Sequence, residues 1–237
     1  LGTVQDDIEQ LRQRVLAALD DCDVVVLSGG TSKGGGDLSY RVVSEFDDPG
    51  IVAHGVALKP GKPICLAATR GKPVVILPGF PTSAIFTFHE FVSPVLCRLA
   101  GRRHQRQSVE LARMAVKVNS EIGRTEYLLV GLVETGVHTA ESEVSLSAYP
   151  MGKGSGSVTT FSRADGFVTI GRHEEIIEEG ANVKVQLLGR DVQPADLVVI
   201  GSHCVGLDYL LGKLQDRGYR TKFLAVGSTA GLDAAQR

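Results

Sequence analysis

Three short phrases hold the residues of this chain whose types and spacing could do chemistry. They are Ser28-Gly-Gly-Thr-Ser-Lys-Gly-Gly-Gly-Asp37, Leu58-Lys-Pro-Gly-Lys-Pro63 and Leu77-Pro-Gly-Phe-Pro-Thr-Ser-Ala84. Each falls at the end of an apolar run or beside one. The glycines after Leu27 let bare backbone N–H groups approach a phosphate. Lys59 and Lys62 flank Pro60-Gly61, and two prolines with a glycine stiffen the turn, so the lysines need little further ordering to meet an oxyanion. Thr82 or Ser83 can cap a helix whose N-terminus favours negative charge. The chemistry these phrases share is anion binding. Each also has a plainer reading: solvated lysines on a surface turn, and Asp37 as the N-cap of a helix running through Tyr40 to Phe46.

The elements that must position these phrases follow from periodicity. In Asp23-Val-Val-Val-Leu27 the four residues after Asp23 form a short apolar run rich in β-branched valine, as a strand buried on both faces of a parallel sheet reads. Residues 6 to about 100 alternate between patterns: helix 6–20 introduced by Asp6 and Asp7, strand 23–28, helix about 37–46, strand about 51–58, strands near 64–68 and 73–77, and helix 83–99. Such alternation predicts an α/β layer architecture. A further strand is expected ahead of the first helix, since a helix feeding a parallel strand normally crosses over from an earlier one. Residues 109–189 change to short alternating stretches separated by Gly, Asn and Ser, which predicts a small β-barrel or sandwich. After Gln193-Pro194, Asp196 to Ile200 and Tyr219 to Val226 read as strands. Each is followed by Gly-Ser, a short spacer and Gly-Leu-Asp, at 201–208 and 227–233. Both loops are expected to set a serine hydroxyl, Ser202 or Ser228, and free amides at a helix N-terminus, an oxyanion-binding arrangement.

Composition narrows the classes. The chain has 237 residues, is 43% hydrophobic and 22% charged, and carries a net charge of −2, which fits a globular protein with room for one large or two modest domains. No apolar run approaches the ~20 residues of a spanning helix, so no membrane association is expected. The near-neutral balance argues against a nucleic-acid partner, because the basic cluster Arg98, Arg102, Arg103, His104 and Arg106 sits at a helix C-terminus and just past it, where the dipole favours cations. Cys22, Cys65, Cys97 and Cys204 lack CxxC spacing and read as reduced thiols. The six histidines are dispersed without ligand spacing, and neither a nucleophile elbow nor a Walker loop is present.

In order and content the three phrases resemble the molybdopterin-binding domain of the MoeA/gephyrin-E family, the molybdopterin molybdotransferases, over roughly residues 1–100. The pattern from about 110 to 189 resembles the β-rich domain that follows in that family. The resemblance implies a three-layer α/β molybdopterin-binding domain over 1–107 with its N-terminal strand missing, then a β-barrel domain over 108–190. The stretch 194–237 looks like the start of a periplasmic-binding-protein or LysR-effector-like lobe, which at this size is expected to be a truncated piece.

The resemblance further implies insertion of molybdate into adenylylated molybdopterin with release of AMP, assisted by magnesium, in a cytoplasmic homodimer with shared sites. It assigns catalytic roles to Asp37, Lys59 and Lys62, with Asp37 also at the metal or the oxyanion. It assigns ligand contacts to Ser28, Gly29, Gly30, Ser32, Gly34, Pro60, Gly61, Pro78, Gly79, Pro81 and Ser83, and to Arg124 and Ser155 from the β domain, where turn and barrel roles are equally open. Two departures stand out. Gly35 occupies a position that is usually acidic in the family, and Phe80 replaces an Asn. Phe80 reads as a hydrophobic staple on the following helix or as an aromatic against the pterin. Two other classes stay in view: a sibling enzyme that adenylylates molybdopterin, against which the β unit counts, and a molybdate-, tungstate- or pterin-responsive sensor or scaffold.

Overall fold

A computed structural model describes residues 2–31, 37–103, 108–134, 145–151, 158–189 and 195–234. The chain divides into two compact units, 1–105 with 154–158, and 106–153 with 159–237.

In the first unit, α1 (Ile8–Asp21) begins where the Asp7 carboxylate accepts the Gln10 N–H at 2.8 Å, making Asp7 the cap. Then follow β1 (Val25–Ser28), α2 (Leu38–Ser44), β2 (Gly50–His54), β3 (Leu58–Lys59), β4 (Cys65–Thr69) and β5 (Lys72–Leu77). The sheet order is β1-β5-β4-β2. β1 runs parallel to β5, whereas β4 is antiparallel to both β5 and β2. The sheet is therefore mixed, because the connection from β4 to β5 is a tight turn at Arg70-Gly71 that can only reverse the chain.

Alternation along β5 sorts its side chains to two layers. Val74 and Ile76 join Val15, Leu19, Val42 and Val43 of α1 and α2 in one core. Val75 and Leu77 join Ile64 and Val92 in another, on the side of the last helical stretch. Helices thus cover both faces, the three-layer arrangement expected from sequence. β1 differs from expectation. It lies at the sheet edge, and Val26 is 42% exposed, so the strand is buried on one face only.

The predicted helix 83–99 begins earlier and is interrupted. It comprises α3 (Pro81–Thr87), a π-helical turn at Phe88–Val92, and α4 (Ser93–Leu99). Pro94 has no N–H to give to the preceding turn, and a wider turn ahead of it accommodates the lost bond.

The second unit holds β6 (Val109–Met114), β7 (Val118–Asn119), β8 (Thr125–Glu134), β9 (Leu146–Pro150), α5 (Val158–Arg163), β10 (Gly166–Ile170), β11 (Ile176–Ile177) and β12 (Asn182–Leu187). Within it the strands pair in the order β10-β12-β6-β9-β8, and β8 pairs back to β10, closing a five-stranded barrel. Closure decides between barrel and sandwich, and the core is built from the inward set Ala112, Met114, Leu128, Val130, Leu132, Val168, Ile170, Val185 and Leu187. α5 was not foreseen from sequence.

The C-terminal lobe consists of β13 (Leu197–Gly201), α6 (Val205–Gln215), β14 (Thr221–Ala225) and α7 (Ser228–Ala234), with β13 and β14 parallel. It packs on the barrel within the same unit. Leu224 of β14 is buried with Ala115 and Tyr149, and Lys222 donates to the Asp165 carboxylate at 2.5 Å and to the Leu132 carbonyl at 2.6 Å. The four cysteines are free thiols, and burial pushes the Cys65 thiol up to about 11. No helix among the described residues is long and apolar enough to cross a membrane.

Candidate anion-binding site

The first and third phrases leave the sheet side by side because β1 and β5 are parallel neighbours, with Ser28 opposite Leu77. The Gly29 N–H donates to the Leu77 carbonyl at 3.0 Å. A Cβ at Gly79 would come within 3.7 Å of Gly29 Cα, so the two loops meet backbone to backbone. These are the carboxyl ends of parallel strands, where open α/β sheets bind ligands.

The second phrase reaches the same place by another route. It is the tip of a loop whose base is stapled by the Gly55 N–H to Ile64 and the Val56 N–H to Lys62. Gly61 at its apex has φ +118°, and a Cβ there would lie 2.5 Å from Thr87 Cγ2 and 3.7 Å from the Ser83 carbonyl. Only glycine lets this turn lie against α3. Lys62 is exposed, and Lys59 and Pro60 are half-buried.

Asp37 stands at the N-cap position of α2, yet its side chain makes no capping hydrogen bond. Its Oδ2 is buried and has no partner among the described residues. The plain capping role is therefore not what this carboxylate performs. A buried acceptor without a partner costs about 1–3 kcal/mol, which makes it a point where a cation or a ligand donor would be welcome.

Thr82 and Ser83 are not the caps of α3. Phe80 holds the N-cap position with extended backbone, φ −78° and ψ 125°, because Pro81 has the fixed φ suited to the first helical residue. Thr82 and Ser83 are buried in the first turn, and Thr87 Oγ1 donates to the Ser83 carbonyl at 2.8 Å. Nor is Phe80 a staple, since the residue is 60% exposed.

Ser28, Gly29, Gly30, Asp37, Lys59, Pro60, Gly61, Lys62, Pro78, Gly79, Pro81 and Ser83 all belong to the first unit. Ser32, Gly34 and Gly35 lie outside the described residues, as does Ser155. Arg124 belongs to the second unit, where it forms an ion pair with Glu121 at 2.8 Å. In the C-terminal lobe Ser202 and Ser228 are brought together, with hydroxyl oxygens 2.6 Å apart. Ser202 precedes the actual cap of α6, Cys204, whose sulfur accepts the Leu207 N–H at 3.3 Å.

Sequence reasoning missed His54. Its Nε2 lies 3.1 Å from the Thr31 carbonyl oxygen and its ring stacks on Tyr40. A lone histidine five residues before Lys59 carries no local signal, and only the fold brings it to the first loop.

Residues 1–98 match the family described as "Probable molybdopterin binding domain", and residues 111–188 match the "MoeA C-terminal region (domain IV)". The chain is similar to both domains, in this order. A molybdopterin molybdenumtransferase 1 of Mycobacterium tuberculosis is 28% identical over 192 residues, covering 80% of this chain and 44% of that protein. A molybdopterin molybdenumtransferase of Haemophilus influenzae is 23% identical over 188 residues, covering 78% of this chain and 45% of the relative. A crystal structure of the molybdopterin biosynthesis MoeA protein from Pyrococcus horikoshii is 38% identical, with a TM-score of 0.58, covering 77% of this chain and 41% of that one. The chain thus spans less than half the length of these relatives. The match to the MoeA C-terminal region ends at residue 188, ahead of the lobe built from β13 to α7.

Proposed function

We propose that this protein inserts molybdate into adenylylated molybdopterin with release of AMP, and that the three phrases hold the anionic groups of that reaction. The observations that carry the proposal are the meeting of the Gly29 and Gly79 backbones, the packing of the Lys59–Lys62 turn on α3, and the orphaned carboxylate of Asp37 at the head of α2, the helix whose Ser39 meets Gly30. Loop amides from Ser28 to Gly30, with Ser32 and Gly34, and the backbone at Pro78, Gly79, Pro81 and Ser83 would take the phosphate side of the pterin. Lys59 and Lys62, with Pro60 and Gly61 fixing the turn, would hold a phosphate or oxyanion as point charges. The exposed Phe80 ring would offer the pterin a flat apolar surface. Arg124 and Ser155 are carried as further contacts on resemblance alone.

A divalent cation fits one feature of the site, the buried and unpartnered Asp37 Oδ2. Magnesium takes carboxylate oxygen while keeping several waters, and when bound it would neutralise charge on phosphate and oxyanion oxygens. A cytoplasmic homodimer is part of the same proposal and rests on the family resemblance.

Substitution Asp37→Ala in the full-length protein tests the assignment. AMP release from adenylylated molybdopterin is expected to be lost while pterin binding is partly kept. Unchanged turnover would remove Asp37 from the chemistry.

A second reading, an oxyanion-responsive lobe of the periplasmic-binding or LysR-effector type, is favoured by the contact between Ser202 and Ser228 at the carboxyl ends of two parallel strands. Molybdate or tungstate should then raise the melting temperature of the full-length protein, and the rise should vanish in Ser202→Ala/Ser228→Ala. No oxyanion-dependent shift would dismiss it.

A further inference from the structure

His54 ends β2, the strand that leads into the Lys59–Lys62 turn. Its half-buried Nε2 stands 3.1 Å from the carbonyl oxygen of Thr31, a buried residue that closes the described part of the first loop. A carbonyl can only accept, so Nε2 is the donor in this contact. On the same imidazole, the ring of Tyr40 stacks with centroids 4.4 Å apart and planes 25° from parallel. Tyr40 lies in the first turn of α2, three residues after Asp37. One side chain therefore holds a residue inside the phrase, Thr31, and a residue just past its end, Tyr40. The loop also lies close against the same helix start at Gly30, where a Cβ would fall 2.7 Å from Ser39 Oγ.

We infer that His54 is a positioning residue of the anion site. It fixes the Thr31 carbonyl and the Tyr40 ring together, and so sets where the Asp37 carboxylate stands at the head of α2. It acts through the segments that carry Asp37 and the lysines. A histidine is suited to this because it joins a hydrogen-bond donor and an aromatic face in one short side chain. Glutamine places a donor near the Nε2 position but has no ring, and phenylalanine has the ring without the donor. Its effect on turnover rests on the transferase reading above, whereas the clamp itself does not.

Two measurements on the full-length protein separate these. In the ligand-free protein, residue-resolved amide exchange at Gly29, Gly30 and Leu38 to Tyr40 should quicken in His54→Phe and return towards wild type in His54→Gln. Unchanged exchange in His54→Phe would overturn the clamp whatever the activity. In turnover of adenylylated molybdopterin, His54→Phe should lower kcat by about 10-fold or more, as expected for a misplaced reacting geometry, with little change in KM. His54→Gln should recover most of that loss. A kcat close to wild type in His54→Phe, or a loss that His54→Gln does not relieve, would overturn the positioning role. Should wild type release no AMP at all, the transferase reading falls, and the exchange comparison alone decides the inference.

Discussion

Asp37 illustrates how a residue can be kept against its own contribution to stability. Its Oδ2 is buried and unpartnered among the described residues, and leaving a buried acceptor unsatisfied costs about 1–3 kcal/mol. Asp37→Ala should therefore leave the melting temperature unchanged or raise it while abolishing AMP release, a separation that thermal denaturation and a turnover assay can read together. Gly61→Ala should behave in the opposite sense. With φ +118° and a Cβ 2.5 Å from Thr87 Cγ2, it should cost about 1–3 kcal/mol in urea denaturation. Adding Thr87→Ser, which removes the offending methyl, should return part of that loss. The glycines and lysines were legible because loop chemistry is local: a glycine run or a Pro-Gly turn means the same thing wherever it sits. The capping role expected of Thr82 and Ser83 failed because Pro81 sets the helix start two or three residues earlier, with Phe80 at the cap. His54 was illegible because its partners are 23 and 14 residues away in sequence.

Among the elements, β1 and β5 carry the site, and they bury their side chains unequally. Ile76 is fully buried between β4 and the helices, whereas Val26 is 42% exposed at the sheet edge. Ile76→Ala should cost about 2–5 kcal/mol of stability and Val26→Ala less than about 1 kcal/mol, measured by denaturant unfolding. Equal costs would contradict the edge placement of β1. α1 and α2 are tied at their surface by Arg12, which donates to Glu45 from Nε at 2.7 Å and from Nη2 at 2.6 Å. The hydrogen bonds and charge of Arg12 hold the Glu45 carboxyl below its ordinary value. A lowered folded-state pKa means that this pair stabilises above the unfolded carboxylate value of about 4.3 and fades as pH falls through the folded value. Titration by NMR should find Glu45 below the ordinary range in wild type and back within it in Arg12→Ala. In the first unit apolar periodicity predicts the order of strands and helices, except that the expected strand about 51–58 divides into β2 and β3. It did not give the direction of β4, because an apolar strand reads alike whether its neighbour is parallel or antiparallel, nor the π-helical turn, because the helical repeat continues through Pro94.

At the scale of the whole molecule, the C-terminal lobe is not free of the rest of its unit. Lys222 and Asp165, with 12% and 18% side-chain exposure, are paired at 2.5 Å, and Asp165 also accepts the Leu132 N–H. Lys222→Ala should strand the Asp165 carboxylate and loosen residues 195–234, visible as faster proteolysis of that segment while the barrel stays protected. The alternation of β-branched runs and glycine turns foretold a helix between two strands here, but not that Leu224 would bury itself on the barrel. Contacts between distant segments are what local patterns do not encode. The most direct test of the account as a whole is AMP release from adenylylated molybdopterin by the full-length protein, with and without molybdate. Release that depends on molybdate is the expected result. Tight pterin binding with no release at any molybdate concentration would contradict the transferase reading and leave the loops as a binding site without this chemistry.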